Sequence, residues 1–194
     1  MIIGLTGGSG TGKSTAANII KEYGFICIDF DKVSREVTSA GSDCLNEIVS
    51  TFGKNILNSD GSLDRRLLGS IVFTDNKKLD ILTKITHKHI LIETEKILKD
   101  NEGKNLLLDA PLLFEAGLQN KCDYVISVLA DEEIRIRRIT ERDNISENYA
   151  KSRIASQHDD DFYTSQSDFC VYNNSTSDEL KTKIDVILRS IMND

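Results

Sequence analysis

Residues 4–15, GLTGGSGTGKST, leave few folds open to this chain. Four of the six positions 7–12 are glycine, and Lys13 and Ser14 follow directly. The run 2–5 ahead of them is short and apolar, as a buried strand is, and residues 14–23 have helix-forming composition. The glycines therefore occupy a turn from a strand into a helix. Their spacing, G-x-x-x-x-G-K-[ST], has a physical meaning. Successive backbone N–H groups must converge on phosphate oxygens, and side chains would stand in the way. The helix starting near Lys13 points the positive end of its dipole at the same anion. The Lys13 ammonium can then reach the β and γ phosphates, and the Ser14 hydroxyl can ligate Mg²⁺. The turn predicts a bound nucleoside triphosphate with Mg²⁺, and it is silent on which base and which acceptor.

Further apolar runs lie at 25–28, 106–108, 124–129 and 169–172. They show little polar alternation, as strands buried on both faces do, so the chain reads as α/β with a parallel sheet. Helical stretches are expected at about 14–23, 133–142, 146–157 and 178–192. The interval 34–104 is polar and helix-like throughout, with the turn signal SDGS at 59–62. It is too long for one crossover helix and reads as a helical insertion between the second and third strands. There is no internal repeat.

Composition narrows the function classes. A formal net charge of -7 argues against a general nucleic-acid or membrane-surface binder, which needs a basic field. No run reaches the roughly 18 apolar residues of a membrane helix, and the N-terminus lacks the pattern of a secretory signal. Cys27, Cys44, Cys122 and Cys170 make no CxxC pair, and three lie in or beside apolar runs. They read as reduced, mostly buried thiols of a cytoplasmic protein. Two guanine-type matches, NKCD at 120–123 and DNEG at 100–103, precede strands instead of following them. They would lie at the wrong edge of the sheet, since ligands bind at the carboxyl edge.

Other residues are better placed. The second strand leads into Asp29-Phe30-Asp31, and alternation along an extended segment would put both carboxylates on one side. Asp31 could take the proton of an attacking hydroxyl, or cap the following helix. Asp109 ends the third strand, where it could assist Mg²⁺ or be an ordinary strand-end carboxylate. Arg135, Arg138 and Arg142 share one helix face, suiting either a lid that closes on phosphates or a solvated face paired with Glu132, Glu133 and Glu141. Pro111 turns the chain out over the sheet edge. Leu112, Leu113 and Phe114 then present an apolar wall, the pattern of core packing. Asn173 and Asn174 follow the last strand, where asparagine favours a turn or a helix entry. A nucleotide-dependent kinase and a nucleotide-controlled switch both remain open at this level.

The sequence resembles the dephospho-coenzyme A kinase family almost end to end. The matching segments are GLTGGSGTGKST (4–15), IDFDKVSREV (28–37), DAPLLFEAGL (109–118), RITERD (138–143) and YNNS (172–175). The resemblance implies a three-layer phosphate-loop kinase fold. Its five-stranded parallel sheet would lie in a nucleotide core at about 1–33 and 105–194, with a helical acceptor-binding insertion at about 34–104 and a lid at about 134–157. It implies transfer of the ATP γ-phosphate, with Mg²⁺, to the ribose 3′-hydroxyl of dephospho-coenzyme A, the last step of coenzyme A synthesis. Carried over, Gly10, Thr11, Gly12, Lys13, Ser14 and Thr15 hold ATP, with Asn173 or Asn174 near adenine. Asp31 is the base, Lys13 and Arg142 serve the transferred phosphate, and Ser14 and Asp109 serve the metal. Asp31, Arg35, His87, Leu112, Leu113, Phe114 and Glu115 face the acceptor. The family usually has His-Pro where this chain has His87-Lys88, so the helix expected to begin near His87 is expected to start differently here.

Overall fold

In the computed structural model, which describes residues 1–192, the five apolar runs form one all-parallel sheet. Its strands are β1 Ile2–Thr6, β2 Ile26–Asp29, β3 Leu106–Asp109, β4 Tyr124–Leu129 and β5 Phe169–Tyr172, in the order β2-β3-β1-β4-β5. Leu106, Leu107 and Leu108 are all buried, which is why β3 shows no polar alternation. β1 lies at the centre, with two strands on either side, so the turn leaving it sits where the order of connection reverses. Sheets of this kind bind ligands there. Asp109 is level with Leu5 of β1 and with Asp29 of β2, which brings both carboxylates to the carboxyl edge beside that turn.

The chain divides into two compact units. The first, residues 1–29 together with 103 onward, holds the sheet, α1 Lys13–Lys21, α6 Glu132–Asp143, α7 Glu147–Ala155, α8 Asp160–Thr164 and α9 Ser177–Met192. Its core joins Ile3, Leu5 and Val128 to Ala16 and Ile20 of α1. Leu180, Ile184 and Leu188 of α9 complete it, four residues apart along one stripe. Burial pushes the Cys122 thiol up to about 12, so it stays neutral. The second unit, residues 30–102, holds α2 Phe30–Val37, α3 Asp43–Phe52, α4 Arg65–Val72 and α5 Asn76–Asp100. Cys44, Ile48, Ile56, Leu68, Val72 and Ile85 form its core. The SDGS turn is present, with Asp60 accepting from the Ser62 N–H and an isolated bridge pairing Leu57 with Leu63.

Three expectations change. No extended segment joins Asp29 to Asp31, because α2 begins at Phe30; the alternation argument for those carboxylates fails, and Asp31 lies in a first helical turn. No helix begins near His87. α5 runs unbroken through His87 and Lys88 for 25 residues, which it can do because Lys88 supplies the backbone N–H that proline lacks. Lys88 and His89 both reach Glu47 of α3 at 2.7 Å, so that lysine is engaged within its own unit. The short α8 was not foreseen; Asp159 caps it by accepting from the Phe162 N–H. The core boundary expected at residue 194 lies outside the described residues.

Candidate active site

In the turn after β1 the carbonyls of Gly8, Ser9, Gly10 and Thr11 are engaged by the protein. A loop that aims N–H groups inward must point C=O groups outward, and buried carbonyls need donors. Arg135 Nε donates to Ser9 O at 2.9 Å. Arg138 Nη1 reaches Asn173 O at 2.9 Å and lies 3.4 Å from Gly10 O. Asn173 Nδ2 donates to Thr11 O at 2.8 Å, and the Thr11 hydroxyl donates to Gly8 O at 2.9 Å. Burial pulls both Arg135 and Arg138 below the ordinary guanidinium value, the cost of holding them under the loop.

The opposite side of the turn is built for an anion. α1 begins after Gly12, whose φ of 96° is open to glycine and strained for other residues. No side chain caps α1 and no acidic residue lies in its first turn. The helix start therefore presents its N–H groups and positive dipole end with no acidic side chain of its own first turn against them. A Cβ at Gly12 would collide with Asn173 Nδ2, so this glycine is required by the amide behind the loop as well as by any ligand in front. Lys13 forms an ion pair with Asp109, each about 15 % exposed, which keeps the ammonium at the mouth of the loop. Ser14 and Thr15 are exposed at the helix start.

The structure separates the other expected residues by role. Leu113 is fully buried, and a Cβ on Gly4 would lie 2.7 Å from its Cδ1; it is core, and the expectation that it faces an acceptor is corrected. Leu112, one position back, is 58 % exposed. Phe114 is buried edge-on to Phe162, with ring centroids 5.7 Å apart, and the Glu115 carboxylate lies 3.2 Å from His158 Nε2. Arg142 is exposed, and its fork grips Asp143 at 2.7 and 2.9 Å rather than the loop. Arg153 also binds Asp143, so α6 and α7 are tied across their turn. The two arginines hold the Asp143 carboxyl well below the usual carboxylate range. Asn174 Oδ1 accepts from the Asp131 N–H, fixing the entry to α6. On α2, Asp31 and Arg35 are four residues apart and share a face. His87 is half-buried within α5. Sequence reasoning missed Gln157, whose side chain meets Ser9 of the loop. No spacing rule points to it, because its contact spans 148 positions.

A strand, a bare loop, an uncapped helix and a lysine held by a strand-end aspartate, on this sheet order, define a phosphate-loop kinase. The dephospho-CoA kinase family model matches residues 1–179. A dephospho-CoA kinase of Fusobacterium nucleatum is 36 % identical, covering 98 % of each chain. The solved dephospho-CoA kinase from Campylobacter jejuni aligns at a TM-score of 0.70 with 31 % identity, covering 98 % of this chain and 96 % of that one. A shikimate kinase from Bacteroides thetaiotaomicron aligns at 0.59 with 12 % identity, covering 99 % and 98 %, a likeness of fold alone. The chain belongs to the dephospho-CoA kinase family.

Proposed function

We propose that this chain transfers the γ-phosphate of ATP to the ribose 3′-hydroxyl of dephospho-coenzyme A, giving coenzyme A and ADP, the final step of coenzyme A synthesis. One observation carries the reading: on a chain matched by the family over residues 1–179, the phosphate loop has its carbonyls bound from behind and its helix start uncapped in front. In the transfer, a bond forms between the 3′-oxygen and the γ-phosphorus while the bridging P–O bond breaks, and the hydroxyl proton passes to a base. Gly10, Thr11, Gly12, Lys13, Ser14 and Thr15 cradle the phosphates, and Lys13 follows the charge as it moves to the β-phosphate.

Asp31 is assigned as the base, on the first turn of α2 just past the carboxyl end of β2. Arg35 one turn on meets the anionic acceptor, with His87 and the segment around Leu112, Phe114 and Glu115 as further acceptor contacts. Arg142 neutralises the transferred group. Asn173 and Asn174 border adenine while they hold the loop and the α6 entry. Ser14 and Asp109 offer hard oxygen donors suited to Mg²⁺. Among the described residues no three His, Cys, Asp or Glu cluster as a metal site, which fits an ion carried largely by the phosphates themselves. When bound, Mg²⁺ neutralises charge on the β and γ phosphates. A cytoplasmic setting is supported by four cysteines that are all free thiols. No described helix is long and apolar enough to cross a membrane.

The test is ADP release measured with dephospho-coenzyme A and with adenosine, for the parent and for Asp31→Asn. The parent is expected to prefer dephospho-coenzyme A; preference for adenosine overturns the acceptor. Asp31→Asn keeps the shape and loses the base, so turnover should fall by about 10²–10⁴-fold with substrate binding nearly intact. Parent-like turnover would move the role of base elsewhere, with Asp29 next.

A further inference from the structure

We propose that Gln157 is a positioning residue that ties the end of α7 to the phosphate loop, so that nucleotide in the loop is felt along α7. The backbone of Gln157 finishes the helix: its N–H donates to Ile154 O at 3.0 Å. Its side chain then leaves the helix and ends on the loop. Oε1 accepts from the Ser9 N–H at 2.9 Å and from Arg135 Nη2 at 2.9 Å. Nε2 contacts Ser9 Oγ at 3.2 Å. With Arg135 Nε on Ser9 O, every polar atom of Ser9 is bound by α6 or by the residue that closes α7. The space is tight. A Cβ on Gly8 would lie 2.5 Å from Arg135 Nη2 and 3.0 Å from Gln157 Oε1, so Gly8 is bare on this side to admit the Arg135–Gln157 pair.

The consequence follows from which donors are left. The Ser9 N–H is already satisfied by Gln157, and those of Thr11 and Thr15 bond Gly8 O and Gly12 O at 3.3 and 3.0 Å, so the cradle for a phosphate falls to the remaining N–H groups between Gly10 and Ser14. Gln157 braces the outer wall of that cradle. A brace held by one donor pair at the loop and one at the helix end transmits order in both directions. Ligand that stiffens the loop stiffens the end of α7, and the coupling is reciprocal. The role rests on the nucleotide reading above, and the experiment separates the two.

Amide hydrogen exchange is measured on the full chain with and without saturating ADP. In the parent, ADP should slow exchange both in residues 7–15 and in residues 147–155. Gln157→Met keeps the length and removes both polar atoms. It should retain the loop response and lose the α7 response, with kcat down by at least about tenfold, the net worth of one of the three hydrogen bonds lost. The KM for dephospho-coenzyme A should stay within about threefold, since acceptor contacts are untouched. Gln157→Glu keeps an oxygen for the Ser9 N–H and for Arg135, and should restore the α7 response. An unchanged α7 response in Gln157→Met, or a Gln157→Glu that behaves like it, overturns the coupling alone. If ADP leaves residues 7–15 of the parent unprotected, the phosphate-loop reading fails and the coupling with it.

Discussion

Replacing Gly12 by alanine should damage this protein from behind the loop before any ligand is considered. At φ 96° an L-residue is strained by about 1–2 kcal/mol. The new Cβ would occupy the place of Asn173 Nδ2. Asn173, 7 % exposed, has little room to retreat, and its departure strips the 2.8 Å bond from Thr11 O, whose residue is 1 % exposed. A buried carbonyl losing its donor costs about 1–3 kcal/mol. Arg138 Nη1 lies 3.5 Å from the same oxygen and offsets part of this, which favours the lower half of that range. The smaller freedom of alanine in the unfolded chain offsets about 0.5 kcal/mol more. A net loss of about 2–3 kcal/mol follows, or about 4–12 °C in thermal midpoint for a chain of this length. The assay is thermal unfolding without nucleotide, in a double-mutant cycle with Asn173→Ala. In the Asn173→Ala background the collision is gone and the carbonyl is already deprived, so Gly12→Ala should cost only its backbone strain less the same unfolded-chain offset, about 0.5–1.5 kcal/mol. Strict additivity of the two changes would refute the reasoning, because it would mean that Gly12 and Asn173 do not share a space.

Leu113→Ala should cost about 2–5 kcal/mol as a core truncation, whereas Leu112→Ser should move stability by under about 0.5 kcal/mol and raise the KM for dephospho-coenzyme A; the reverse pattern would place Leu112 in the core. Asp143 titrates lower folded than unfolded, so its tie stabilises the protein above about pH 4 and is lost as pH falls toward the folded value. Between pH 6 and pH 3 the parent's thermal midpoint should therefore drop further than that of Asp143→Asn, and parallel curves would remove the tie from the account. Arg142→Lys keeps charge and loses the planar fork; turnover at saturating ATP should fall with the fold intact, and unchanged turnover would leave Arg142 as a clasp for Asp143.

The strands were legible because burial on both faces writes an unbroken apolar run, as at Leu106, Leu107 and Leu108. The loop was legible because its glycines serve geometry that few other residues permit. Partners distant in sequence were not. Nothing in the spacing of Arg135, Arg138 and Arg142 distinguishes a guanidinium aimed at a phosphate from one aimed at a carbonyl, since both acceptors are oxygens. Leu112 and Leu113 look alike in sequence and differ only because successive residues of a turning chain point opposite ways. The extended reading of 29–31 failed at Phe30, which is buried as the first residue of α2 and starts the helix one residue after the strand.

The arrangement behind the loop explains why three arginines of one helix come to different uses. A phosphate cradle needs inward N–H groups, and each of those fixes a carbonyl pointing away. The outward carbonyls of Ser9, Gly10 and Thr11 fall against α6, where water reaches them only in part. Neutral donors would suffice for one of them, as Asn173 does for Thr11, but a guanidinium serves several carbonyls from one rigid plane. Arg135 and Arg138, three residues apart, stand one under each side of the loop and are held there by backbone oxygens they cannot leave without orphaning them. They also add positive charge beneath the loop. Arg142, a turn further along α6, has passed the end of the loop, and its side chain is 61 % exposed. It is therefore the arginine of this face that can exchange a carboxylate for a phosphate without unmaking the cradle.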